Sequence, residues 1–176
     1  TVGPSLGSDS LDFSVKAGLM GLLAILIFML GYYRLPGFVA DVSMVLYSVL
    51  VLGTMVLLGV VLTLPGIAAF VLSIGMAVDA NIIIYEHIKE ELRLGKTLKA
   101  AIESGFKRAF LTIFDANLTT LIAALVLIWF GTGSIKGFAI TLSIGIVASM
   151  LVALTFTRYM LVWFADITKN NKLYGV

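Results

Sequence analysis

From Val42 to Val78 the chain runs for 37 residues without an Asp, Glu, Lys or Arg. A straight helix of that length would measure ~55 Å, against a bilayer hydrocarbon core of ~30 Å. The run therefore has to turn, and Pro65-Gly66 after Thr63 is where it does so: proline suits a first helical turn and glycine loosens the bend. Three more apolar runs follow the same logic, Ala17–Tyr33, Ala116–Ile135 and Gly137–Thr157. The expected fold is an all-α integral membrane bundle of five spans within residues 15–165, at about 16–33, 38–62, 65–94, 110–130 and 136–164. Composition agrees: 12% of residues are charged and mean hydropathy is +1.10, whereas a soluble domain carries about 25% charge. The absence of cysteine excludes disulfides and thiolate metal sites. A net charge of +2 makes no case for nucleic acid.

The lysines and arginines set the expected orientation. With the first helix entering from outside, Lys16 and Lys136 lie on the outer side. Arg34, Lys89, Arg93, Lys96, Lys99, Lys107, Arg108, Arg158, Lys169 and Lys172 lie on the inner side. That bias places the N-terminus outside and the C-terminus inside. Tyr32, Tyr33, Trp129 and Trp163 fall near span ends, where an aromatic belt would hold them. Residues 1–14 precede the first span on the outer side, and 166–176 read as a cytoplasmic tail. Between the third and fourth spans, Leu98, Ala101, Ile102, Gly105, Phe106 and Ala109 recur at helical spacing behind Thr97, a candidate N-cap. They predict a separate amphipathic helix at about 97–108, lying along the inner membrane surface. An ordinary connector is an equal alternative.

Two acids sit inside the apolar spans. Asp79, in Gly75-Met-Ala-Val-Asp-Ala-Asn81, is seven residues from Glu86 and so ~10 Å below the inner boundary. A charge at that depth costs at least ~2.5–3.5 kcal/mol, and no cation of the chain lies as deep. Three states suit it: a protonated acid, an acid facing a hydrated cavity with donors such as Asn117 or Thr119, or an acid paired with another chain's cation. All three fit a group that binds and releases a proton; the bland alternative is a neutral acid acting as interhelical glue. Asp115, in Asp115-Ala-Asn-Leu-Thr-Thr120, is shallower. Thr112 and Thr119 share its helix face and Arg108 lies at i−7, so an acid fixed by local donors is as good a reading as a functional one. Each of the two antiparallel spans carries Asp-Ala-Asn in its inner half, so the two copies can meet across one interface, to which Asn81 and Asn117 would add polar groups.

Small residues mark the packing faces. Gly137, Thr141, Gly145, Ser149 and Ala153 recur every four residues on the last span, and Ala69, Ser73 and Ala77 on the third. Such stripes let helix backbones approach in lipid. The single histidine, His87, stands at the water boundary without further metal ligands. No Ser-His-Asp, HExxH, P-loop or GxGxxG arrangement is present, so soluble-type catalysis has no support, and neither metal nor cofactor is expected.

These stretches together resemble the SecD side of the SecD/SecF protein-export family, within the broader RND-type superfamily. The matching residues are Val2-Gly-Pro-Ser-Leu-Gly7, Pro65-Gly-Ile-Ala68, Gly75-Met-Ala-Val-Asp-Ala-Asn81, Glu86 with Lys89-Glu-Glu91, Asp115-Ala-Asn-Leu-Thr-Thr120, Gly131-Thr-Gly133 and Gly137-Phe-Ala139. The resemblance implies a multi-pass half-bundle of the bacterial inner membrane. It would lack one preceding helix and a large extracytoplasmic domain, and residues 1–14 would be the extracytoplasmic linker leaving that domain. The implied partners are SecF, the SecYEG translocon, YajC, YidC and the translocating polypeptide. The implied activity is use of the proton motive force to assist export and membrane insertion. Asp79 matches the family's essential intramembrane aspartate, for which SecF would supply an arginine; Asp115, Asn117, Thr119 and Thr120 match a supporting motif. A transporter half for lipid or small molecules, and a structural scaffold of the translocon, are the competing readings.

Overall fold

The computed structural model describes residues 4–167, with side chains from residue 12 onward. Its elements are α1 (Pro4–Tyr33), α2 (Leu35–Leu57), α3 (Leu64–Arg93), α4 (Leu98–Phe130), α5 (Ser134–Leu151), a π-helical turn (Val152–Thr157) and α6 (Arg158–Ile167). The last three form one continuous rod, so five rods are long and apolar enough to cross a membrane. No strand occurs among the described residues.

Several boundaries differ from expectation for local reasons. Helix α1 begins at Pro4, where a linker was expected through residue 14; proline at a first helical position lacks only an N–H that would have no intrahelical partner. Of the expected tail, Asp166 and Ile167 close α6, and 168–176 lie outside the described residues. Pro36 in the first turn starts α2 at Leu35, three residues ahead of the expected start. At its other end, Gly59 adopts φ 63°. Its N–H donates to the Val56 carbonyl and that of Val60 to Met55, a Schellman closure that stops α2 five residues short of position 62. Thr63 caps α3, its hydroxyl accepting from the Gly66 N–H at 3.2 Å with Pro65 in the first turn. Gly95, at φ 85°, ends that helix by the same Schellman pattern.

The separate surface helix at 97–108 is not found. Those residues are the first third of α4, which continues unbroken to Phe130. The periodic face is real and buried, but protein covers it: Leu98, Ala101, Ile102, Gly105, Phe106 and Ala109 all lie inside. A Cβ at Gly105 would stand 2.7 Å from Ile88 Cγ1 of α3. The amphipathic stripe thus zips α3 to α4 beyond the apolar spans.

The α3–α5 contact forms the centre. A Cβ at Gly145 would lie 2.6 Å from Ser73 and 2.9 Å from the Tyr47 hydroxyl, and one at Gly137 would lie 2.8 Å from Thr63 Oγ1. Thr141 Oγ1 sits 3.3 Å from the Cβ position of Gly66, and Ser149 and Ala153 are buried further along. Ala69, Ser73 and Ala77 are buried on α3. The two small-residue stripes therefore face one another. Helix α1 is peripheral, with only Met29 and Tyr33 buried among its described side chains.

Ion pairs gather at one end of the bundle. Glu91 takes Lys96 at 2.5 Å and Arg108 at 3.0 Å; Arg108 also reaches Glu90 at 3.1 Å. Lys89 pairs with Glu86 at 3.3 Å and lies over the rings of Tyr32 and Tyr33. Lys99 pairs with Asp166 of α6.

Candidate functional site

Residues two apart on a helix point ~200° apart, and this decides what each Asp-Ala-Asn can do. On α3, Asp79 is exposed on the outer face while Asn81 is turned into the bundle. On α4 the order is the same: Asp115 is exposed and Asn117 is buried. The two acids are not brought together. Asp79, Asn117 and Thr120 line a groove of about 220 Å³ between α3 and α4, walled by Met76, Ile83 and Ile113 and floored by Ala80 and Ala116. Asp115 and Thr119 are outside it. The two motifs thus share one groove through Asp79 and Asn117, joined by Thr120, while Asn81 and Asp115 face elsewhere.

The polar groups on α4 are largely self-satisfied. Asn117 Nδ2 donates to the Ile113 carbonyl at 2.8 Å, and Thr120 Oγ1 donates to that of Ala116 at 3.1 Å. Thr119 Oγ1 donates to the Asp115 backbone carbonyl, not to its carboxylate. Arg108, expected to support Asp115 from i−7, is instead committed to Glu90 and Glu91. Among the described residues no Lys, Arg or His forms an ion pair with Asp79 or Asp115. Asp79 therefore presents an uncompensated carboxylate on the outer face of an apolar rod, where lipid could not stabilise it.

Asn81 belongs to a different polar site inside the bundle. Thr157 Oγ1, on the π turn, lies 3.2 Å from Asn81 Oδ1 and 2.9 Å from Ser43 Oγ of α2. Ser43 Oγ donates to the Val39 carbonyl at 2.7 Å. Two hydroxyl protons cannot serve three such contacts. With the Asn81 amide turned so that its NH₂ faces Thr157, each contact has one proton. Nearby, Tyr47 donates to Ser73 at 2.5 Å, and Ser73 to the Phe70 carbonyl. This string ties α2, α3 and the π turn together.

Sequence reasoning missed these groups for a simple cause. Ser43, Tyr47 and Thr157 look neutral within or beside charge-free runs, and nothing local marks a π turn. Asp41 was passed over as the residue flanking the longest run, yet it is 9% exposed within α2. Its helical phase was the available signal: Gly37, Asp41 and Met44 share one face, and all three are buried.

Comparison with known proteins decides the family. Residues 1–166 match the model of the protein export membrane protein SecD/SecF C-terminal domain. The chain belongs to the SecD/SecF protein-export family. It is 56% identical over 161 residues to the protein translocase subunit SecD of Synechocystis sp., covering 92% of this chain and 34% of that relative. The SecD of Acidaminococcus fermentans is 54% identical, with coverage of 99% and 42%. The chain thus spans well under half of these SecD relatives. Among solved structures, SecDF, a translocon-associated membrane protein from Thermus thermophilus, matches with a TM-score of 0.93 at 44% identity, over 97% of this chain and 24% of that one. The five-rod bundle is therefore the multi-pass membrane fold of the SecD/SecF family.

Proposed function

We propose that this chain is the membrane bundle through which a SecD-type subunit couples proton movement to protein export, acting with a SecF bundle beside the SecYEG channel of the bacterial inner membrane. One observation carries the reading: Asp79 faces outward into the α3–α4 groove, and no cation among the described residues pairs with it. Such a group needs a partner surface, and a SecF bundle with an intramembrane cation fits that need. The groove side of α3 is then the face between the two halves. The distribution of lysine and arginine supports an orientation with the charged end in the cytoplasm.

In this mechanism a proton entering from outside neutralises Asp79 and releases the partner's cation. Return of the charge re-forms the pair, so the two bundles alternate between two packings. A proton crossing 100 mV supplies ~2.3 kcal/mol, enough to shift a two-state equilibrium by tens of fold. Asn117 and Thr120 line the proton's approach, while Asp115 sits outside the path as a supporting group. YajC and YidC would join at faces that the groove does not occupy.

Asp79→Asn preserves shape and removes the titration. In proteoliposomes containing the intact complex it should abolish the proton-driven part of export and leave the remainder in place. Asp115→Asn should retain most of the proton-driven part. Unchanged proton-driven export with Asp79→Asn would sink the coupling reading and favour a scaffold.

A further inference from the structure

Asp41 is the acid, among the described residues, whose two carboxylate oxygens are both sealed from the surface without a hydrogen-bond partner. It occupies the second turn of α2, where three helices converge. One turn earlier on the same face, Gly37 lies against the Met29 carbonyl of α1. From α3 comes Tyr85, which is 1% exposed and whose hydroxyl is also buried without a partner. That hydroxyl lies within electrostatic reach of Asp41.

The other titratable and charged groups nearby do not reach it. Arg34, the N-cap of α2 two turns back on the same face, is exposed and makes no hydrogen bond to either carboxylate oxygen. Tyr33 of α1 packs its ring on Tyr85 at 5.6 Å and takes the Lys89 ammonium over its face at 4.4 Å. Lys89 is paired to Glu86. From the far rod, Arg158 lines a cleft with Glu103 and Lys107 of α4, and Asp166 pairs with Lys99. No lysine or arginine among the described residues forms an ion pair with Asp41.

An ionised carboxylate in this place would lack both a counter-ion and donors, the two things that make a buried charge tolerable. A protonated one is a neutral group of amide size. Neither it nor the Tyr85 hydroxyl has a partner in this packing. A small side-chain movement that joined them would satisfy both orphaned groups at once, the protonated acid donating to Tyr85 or accepting from it. The position is distinct from the Asp79 groove: Tyr85 is six residues on from Asp79 and ~120° away around α3.

We propose that Asp41 is a second protonation site of the bundle, holding its proton between α1, α2 and α3, with the orphaned Tyr85 hydroxyl as the hydrogen-bond partner it gains by a small side-chain movement. Losing that proton requires water or a cation to reach the carboxylate, so deprotonation is linked to parting of the α1–α2 corner from α3. The occupancy of the site stands on the packing alone; its part in a transport cycle rests on the coupling reading above.

Infrared difference spectra between acidic and alkaline buffer, on the full-length protein with its partner subunit in bilayers, test the proposal. The wild type should show a carboxylic C=O stretch that exchange into D₂O shifts. Asp41→Asn should remove it, Asp79→Asn should leave it, and Tyr85→Phe should move it by deleting one hydrogen-bond partner. If Asp41→Asn does not fold, Asp41→Glu should displace the band without removing it. An Asp41→Asn spectrum retaining every wild-type carboxylic band overturns the site, and an unmoved band in Tyr85→Phe overturns the pairing. Normal proton-driven export by Asp79→Asn would defeat the coupling reading but leave the Asp41 band standing.

Discussion

A methyl group added at Gly145 would lie 2.6 Å from Ser73, a separation that packed atoms do not tolerate without movement. Gly145→Ala should therefore lower the stability of the bundle in detergent by about 1–3 kcal/mol, the usual cost of overpacking. Gly75, in the same motif as Asp79, has nothing within 4 Å of its Cβ position. Gly75→Ala should leave the melting temperature of the isolated protein level or slightly higher, since alanine is the better helix former. A comparable loss at both positions would show that close packing is not what sets the effect. The repeat of small residues made Gly145 legible in the sequence. The outward turn of Asp79 was legible only in part: its depth follows from counting residues, but its face depends on which neighbours α3 acquires.

Among the elements, α4 shows where periodicity stops being informative. The stripe from Leu98 to Ala109 correctly marked an apolar face, yet an apolar face has the same pattern whether lipid or protein covers it. Gly105 against Ile88 was the discriminating feature, because close backbone approach serves helix packing and a lipid surface does not need it. The π turn was illegible for another reason: it holds one residue more than the α-helical turn it replaces, and no side chain announces that. It does make a prediction. Deleting Thr155, exposed within the turn, should convert it to α-helix and keep α6 in register. Deleting Val147, exposed within α5, should rotate everything after it by ~100°. The first variant should accumulate in the membrane at near wild-type levels and the second should be degraded, as read by immunoblotting of membrane fractions.

For the whole molecule, the absence of cysteine permits footprinting with single introduced thiols. If the α3–α4 groove is the face that meets a second bundle, Thr120→Cys should react readily with a small maleimide when this subunit is purified alone. It should become several-fold slower once the partner is assembled. Asp115→Cys, on the other side of α4, should keep its rate. Protection at residue 115 but not at 120 would place the partner on the wrong face for Asp79. The five-rod count and the sequence of turns could be read from hydropathy alone. The division of the surface into a groove face and the rest could not, because that division exists only once α3 and α4 are set side by side.

The corner at Arg34 gives α1 a mechanical character. Its buried side chains, Met29 and Tyr33, both lie close to that corner, and Gly37 rests directly on the Met29 backbone. Along the rest of its described length α1 packs only partly, through Leu22, Ile25 and Leu26 and a touch of Gly18 on Val71 of α3. It is therefore held most firmly at the charged end and can act as a lever with its fulcrum there. A helix of 30 residues is ~45 Å long, so a tilt of about 10° at the fulcrum sweeps the far end through ~8 Å. Asp41 stands one turn beyond the point where the lever bears on α2.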